Sequence, residues 1–156
     1  MENAPELTVP QILEELEHCY GEFVERLEKS RAANAGEVMG FFFRVQGNPK
    51  VSLAVEDFNS ALTGRVAALT ELLAQCPAEQ AGEWAAQALE IMLFYPVPAN
   101  RSTAFSLAAF EGHALPLVPF LTPAGRQEAA RRCAKRTPPR RMLPNQKKLW
   151  QALSRP

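Results

Sequence analysis

The stretch TVPQILEELEHCYGEFVERL, residues 8–27, decides the fold class that we expect for this chain. Its apolar residues recur every three or four positions, which places them on one face of an α-helix. They are Ile12, Leu16, Cys19, Tyr20, Phe23 and Leu27. Thr8 can cap the first turn, and Pro10 fits there because the first N–H groups of a helix have no partner within it. The stretch predicts an amphipathic helix that ends near Arg31–Asn34.

Two more long helices are predicted after Pro49. The first carries a continuous apolar stripe and stops at Pro77, and the second runs from Ala78 to Tyr95. The stripe of the first helix consists of Val55, Phe58, Leu62, Val66, Leu69, Leu72, Leu73 and Cys76. The predicted apolar face of the second helix consists of Trp84, Ala88, Ile91, Met92 and Tyr95, widened by Leu89 and Leu93.

The segment EVMGFFFRVQ, residues 37–46, is harder to assign. A short apolar run suits a buried helix or a buried strand equally well. A strand would need a partner, and the chain contains no second convincing strand. We therefore expect a short buried helix in this segment.

Prolines divide the rest of the chain. A rigid turn at residues 96–100 precedes a short helix that carries Phe105, Leu107 and Phe110. Residues 113–121 should form an ordered but irregular apolar crossing, because Gly112, Pro116 and Pro119 interrupt them. Thr122 and Pro123 then begin a helix that runs to about residue 136, and a last short helix spans residues 145–153. The sequence thus predicts an all-α bundle of five to seven helices: a body, residues 1–121, and a basic C-terminal helical arm, residues 122–156, whose short helices are separated by Pro138 and Pro139.

Composition indicates an ordinary globular chain of one-domain size. It has 156 residues, of which 47% are hydrophobic and 22% are charged. Its apolar runs are much shorter than the ~20 residues that span a bilayer, and its N-terminus lacks the apolar core of a secretion signal. We expect a cytoplasmic protein without a membrane partner. The three cysteines lack zinc-site spacing, so buried, inert thiols are expected.

Motifs for catalysis are missing from the sequence. The eight glycines show no phosphate-loop spacing, and no G-x-S-x-G motif is present. His18 and His113 are too far apart in sequence to suggest a metal site, and His113 has only Glu111 nearby as an orienting acid. The acidic residues of the first helix are typical of a solvated face. The sequence therefore predicts no enzymatic activity, no metal and no cofactor.

Charge is distributed very unevenly along the chain. The first 37 residues carry nine acids and three bases, whereas residues 126–156 carry ten bases and one acid. A basic helical arm of this kind can bind a phosphate backbone with little sequence preference. The predicted nucleic-acid-binding residues are Arg126, Arg131, Arg132, Lys135, Arg136, Arg140, Arg141, Lys147 and Lys148.

Other partners fit the same region. The basic arm could meet an acidic protein partner, or the acidic first helix of the same chain or of a second copy. It could also be solvated without a specific ligand. Separately, Leu149, Trp150 and Leu153 form a small apolar pattern that either folds back on the body or docks into a partner's groove. The sequence leaves a nucleic-acid-binding accessory protein and a protein-interaction adaptor as its two hypotheses.

Overall fold

A computed structural model of the chain describes residues 8–33, 49–96 and 107–155. These residues form five α-helices and two 3-10 helices, with no strand among them. The α-helices are α1 (Val9–Ala33), α2 (Pro49–Ala74), α3 (Ala78–Phe94), α4 (Pro123–Arg136) and α5 (Pro144–Ser154). The 3-10 helices are Glu111–Phe120, termed the crossing segment below, and Pro139–Arg141. The all-α bundle is confirmed, and residues 37–46 and 97–106 lie outside the described residues.

The predicted start of α1 is confirmed. The Thr8 N–H donates to Gln11 Oε1 at 2.8 Å, and the Gln11 N–H donates to Thr8 Oγ1 at 3.3 Å. This reciprocal pair satisfies backbone donors that have no partner within the helix. The helix then continues to Ala33, inside the predicted range.

The core lies between α1 and α2 and extends to the C-terminus. Ile12 and Leu16 of α1 and Leu62 of α2 are completely buried. At one end of this contact the Phe23 and Phe58 rings stack 4.1 Å apart, and Phe110 meets both of them edge-on. Such ring pairs stabilise a core beyond the effect of burial alone, by about 0.5–1.5 kcal/mol each. The aromatic cluster ties α1 and α2 to the residue that precedes the crossing segment.

The buried face of α3 agrees with the predicted face only in part. The buried residues are Ala81, Gly82, Ala85, Ala88, Leu89, Met92 and Leu93. Trp84, Ile91 and Tyr95 are only half-buried. Small residues bring α3 close to its neighbours, since a Cβ at Gly82 would lie 3.3 Å from the Phe120 carbonyl oxygen. The prediction was correct for Ala88, Leu89, Met92 and Leu93, whereas small residues and not Trp84 form the buried face in the first half of α3.

The crossing segment is regular rather than irregular. It forms ten residues of 3-10 helix despite Pro116 and Pro119. Each proline lacks only its own N–H donor. A 3-10 helix, in which hydrogen bonds join residues i and i+3, tolerates that loss. Ala114, Leu117 and Val118 are buried by it.

Residues 122–155 do not stand apart from the body. Leu149 and Leu153 of α5 are 1% and 0% exposed, and Cys133 of α4 belongs to the same buried cluster. Thr122 caps α4, with its Oγ1 accepting from the Gly125 N–H at 3.0 Å, as predicted. An arm separate from the body is therefore not confirmed, because these helices complete the core. We call residues 122–155 the C-terminal hairpin.

Candidate nucleic-acid interface

Arg136 of α4 is a structural residue that holds the C-terminal hairpin to the body. Its Nη2 donates to both carboxylate oxygens of Glu111, at 2.8 and 2.9 Å, and its Nη1 donates to the Leu93 carbonyl oxygen. Leu93 lies in the last turn of α3, where carbonyl groups have no partner within the helix. Gln146 of α5 donates from Nε2 to Glu111 at 3.2 Å. One guanidinium therefore joins α3, α4 and the crossing segment, and Glu111 adds α5.

Glu111 is the buried centre of this network. It is 5% exposed. Burial raises the pKa of its carboxyl above the usual value, and Arg136 and the hydrogen bond from Gln146 oppose that rise. A buried carboxylate is costly unless a cation and hydrogen-bond donors surround it. The chain supplies those partners from two separate helices of the C-terminal hairpin.

Arg132 makes a second tie one turn earlier. Both of its terminal nitrogens donate to Glu90 of α3, and the longer of these hydrogen bonds is 3.3 Å. Its guanidinium carbon also lies 3.8 Å from the centre of the Phe94 ring. This arrangement combines a bidentate ion pair with a cation–π contact. Arg132 is thus directed towards α3.

Two other predicted phosphate-binding residues are also engaged or enclosed. Arg131 is exposed but forms a two-point contact with Glu128 on its own helix, at 2.6 and 3.0 Å. Arg126 is half-buried, and its Nε is enclosed without a hydrogen-bond partner among the described residues. Four of the nine predicted residues are therefore already paired with a glutamate or partly enclosed by the protein.

The remaining five residues define a surface that we call the cationic turn. Within the described part of the chain they are exposed and form no ion pair. They are Lys135, Arg140, Arg141, Lys147 and Lys148. They occupy the last turn of α4, the Pro139–Arg141 helix and the first two turns of α5. Five exposed cations without an ion pair in the described part of the chain thus flank the connection between α4 and α5.

The cationic turn has a defined backbone. The Arg141 N–H donates to the Pro138 carbonyl oxygen at 2.8 Å, and the Met142 N–H donates to that of Pro139 at 3.2 Å. Gln146 folds back so that the Leu143 N–H donates to its Oε1 at 2.9 Å. Since prolines begin both the 3-10 helix and α5, few backbone conformations are open to this connection. Its cations are carried on a preorganised support.

The three predicted docking residues do not form a common anchor. Leu149 and Leu153 face the core of the protein and are closed to a partner while the hairpin is docked. Trp150 is half-buried and keeps part of its surface exposed. The apolar pattern that suggested a docking helix is the pattern of a helix that folds back on its own body.

The described residues contain no group of three or more His, Cys, Asp or Glu side chains arranged for a metal ion. His113 Nε2 lies 2.8 Å from Asn59 Oδ1, and partial burial lowers the pKa of its ring. His18 is exposed, 3.7 Å from Glu22. Cys133 is buried, as expected, whereas Cys19 and Cys76 are only half-buried, and all three thiols are free.

Sequence reasoning missed the roles of Glu90, Glu111 and Gln146. Glu90 and Glu111 lie 42 and 25 residues from the arginines that they bind, too far for any helical spacing to reveal the pairs. One local signal was available for Glu111, which is the only charged residue in the apolar segment 111–120. A lone charge in an apolar segment indicates a buried partner.

No family model, curated protein or solved structure matched the chain in comparisons. Within the described ranges, none of the helices is both long enough and apolar enough to span a bilayer. Fold and surface together define the chain as an all-α helical bundle with a cationic turn near its C-terminus.

Proposed function

We propose that this protein is a non-enzymatic cytoplasmic accessory protein that binds the phosphate backbone of nucleic acid through the cationic turn. The observation that carries the proposal is the division of the C-terminal bases into two groups. Arg131, Arg132 and Arg136 are neutralised by glutamates of the same chain. The five residues of the cationic turn have no such partner among the described residues, and all lie within residues 135–148 of the chain.

Phosphate groups fit this surface for an electrostatic reason. Like charges held close together repel each other, and a polyanion relieves that repulsion while releasing its own counterions. Lysine and arginine heads on short helical turns can reach successive phosphates without reading bases. The proposal therefore assigns binding with little sequence preference and with strong salt dependence.

Fluorescence anisotropy of labelled oligonucleotides at several salt concentrations tests the proposal. If all five cations contact phosphates, log Kd should change with log salt with a slope of about 3.5 for a single strand and about 4.5 for a duplex. The double variant Arg140→Gln/Arg141→Gln should lower that slope by about 1.4 for a single strand and by about 1.8 for a duplex. An affinity that does not change with salt would overturn the proposal.

A matched control separates local contacts from net charge. The variant Arg26→Gln/Lys29→Gln also removes two cations, but from α1, where Arg26 is paired with Glu22 and Asp57 and Lys29 is paired with Glu25. It should retain the wild-type affinity and salt slope. Equal losses in both double variants would show that only overall charge matters and that the cationic turn is not the site.

An acidic protein surface, including that of a second copy, is the competing partner. Glu14 and Glu17 of α1 are exposed and make no ion pair within the described ranges. Sedimentation velocity at low salt gives the discriminating result. A dimer that Glu14→Gln/Glu17→Gln dissociates, in a protein that binds no oligonucleotide, would replace the nucleic-acid proposal with self-association.

A further inference from the structure

Trp150 differs from the aromatic residues of the core. Phe23, Phe58 and Phe110 satisfy one another through ring contacts. Trp150 is half-buried and makes neither a ring contact nor a cation–π contact among the described residues. The indole N–H of Trp150 has no hydrogen-bond partner among the described residues. Its nitrogen is not buried, so this edge of the ring is in contact with solvent. Trp150 therefore packs against the core and keeps part of its surface exposed.

Trp150 lies on the same helix as two cations of the cationic turn, Lys147 and Lys148. The core-facing positions of α5 are Gln146, Leu149 and Leu153, and Trp150 stands at the edge of that face. Lys147 is three residues earlier, which makes it a surface neighbour of Trp150 on a helix. At 1.5 Å per residue, Trp150 lies only about 9 Å along the axis from Pro144, where the Arg140–Arg141 turn ends and α5 begins. Trp150 therefore lies within two helical turns of the start of α5, where the cationic turn meets this helix.

We infer that the ligand of the cationic turn is single-stranded nucleic acid, one base of which stacks on Trp150. This inference rests on the proposed function, because the cations must hold the phosphates that bring the base to the ring. An aromatic ring next to a track of cations is the arrangement that binds single strands, since every base offers a flat face. The inference adds the strand form and a stacking residue to a surface that charge alone leaves unspecific.

A duplex would leave Trp150 unused. Its bases are already stacked on each other, and only their edges are open in the grooves. An indole could reach a base face only after unstacking or flipping the base, which has an energetic cost. A duplex would therefore bind through phosphate contacts with the five cations alone, and Trp150 would add nothing to its affinity. Discrimination between strand forms should depend on position 150.

The experiment compares single-stranded and duplex oligonucleotides of equal length at one salt concentration, using the full chain. The Trp150→Leu variant should bind the single strand about 5- to 150-fold more weakly, the range expected for the loss of one base stack. Its duplex affinity should change less than about twofold. Trp150→Phe, which keeps a flat ring, should restore most of the single-strand affinity. Circular dichroism melts establish that each variant is folded.

A spectroscopic readout tests stacking directly. The chain has two tryptophans, so Trp84→Phe leaves Trp150 as the sole indole. Saturation with the single strand should quench its emission, and a duplex should not. Binding without quenching, with Trp150→Leu equal to wild type for both strand forms, would overturn this inference and leave the proposed function intact. Failure of every oligonucleotide to bind would overturn both.

Discussion

At the scale of single residues, the informative pair is Glu111 with Arg136. The Glu111 side chain is buried and the Arg136 side chain is 34% exposed, so the two partners are desolvated to different degrees. Removing only the cation leaves a buried carboxylate with Gln146 as its remaining donor. Such a loss usually costs about 3–5 kcal/mol for fully buried pairs, and the partial exposure of Arg136 brings our expectation for Arg136→Met to about 2 kcal/mol. Urea unfolding at pH 7 measures this loss.

The pH dependence of the same site has a definite sign. Because burial raises the folded-state pKa of Glu111 above the ordinary 4.5, the folded chain holds this proton more tightly than the unfolded chain does. Its contribution to stability is complete below the unfolded pKa and is lost as pH rises through the folded pKa. The free energy of unfolding of wild type minus that of Glu111→Gln should therefore fall as pH increases above about 4.5.

Urea unfolding of both chains between pH 4 and pH 8 checks this prediction. Subtracting the Glu111→Gln values removes contributions from every other titrating group. A difference that increases with pH would mean that Arg136 outweighs burial and that the folded-state pKa is below the ordinary value.

At the scale of elements, the helices could be predicted because their signals are local. The caps at Thr8 and Thr122 and the repeat of apolar residues in α1 and α2 depend on residues within one or two turns of each other. The buried face of α3 could be predicted only in part, because its first half depends on how closely Phe120 and Thr122 approach Gly82. That approach is a property of the folded chain and has no period in the sequence.

Substitutions at two glycines in helices measure how closely α3 is packed against its neighbours. A Cβ at Gly64 of α2 would meet nothing within 4 Å, whereas a Cβ at Gly82 of α3 would lie 3.2 Å from Thr122 Cγ2. Gly64→Ala should raise the free energy of unfolding by about 0.5–1 kcal/mol, since alanine favours the helix. Gly82→Ala should lower it by about 1 kcal/mol, because the crowding outweighs the same helical gain. Thermal and urea melts of the two variants check both signs. Equal stabilisation of both would show that α3 is not held tightly at Gly82.

At the scale of the whole molecule, the sequence shows that the C-terminal region is basic but not which of its arginines form ion pairs within the protein. The basic composition of residues 126–156 was visible, and it suggested one continuous phosphate-binding arm. In the folded chain Arg132 and Arg136 pair with glutamates of the body, and the cations of the turn are exposed without an ion pair among the described residues. The division depends on Glu90 and Glu111, which only tertiary packing brings to these arginines. The candidate site is therefore smaller than the predicted arm and better defined.

Docking of the hairpin also determines what a truncation should do. A separate arm could be removed without damage, and a chain ending at Leu121 would keep a folded body. Here the deletion removes Leu149 and Leu153 from the core and leaves Glu111 without Arg136 or Gln146. Truncation of one buried leucine to alanine costs about 2–5 kcal/mol, which is a large part of the 5–15 kcal/mol that stabilises a typical domain. We expect the chain ending at Leu121 to lose its cooperative thermal transition. A truncated chain that melts cooperatively at the wild-type temperature would instead show that the body is independent, and the cationic turn would then belong to an arm that moves freely.

A single substitution in α5 tests the same docking in the full chain. Leu153→Ala should lower the free energy of unfolding by about 3 kcal/mol, because Leu153 is buried in the core. Exposed Lys148→Ala serves as the matched α5 control and should leave stability within about 0.5 kcal/mol of wild type.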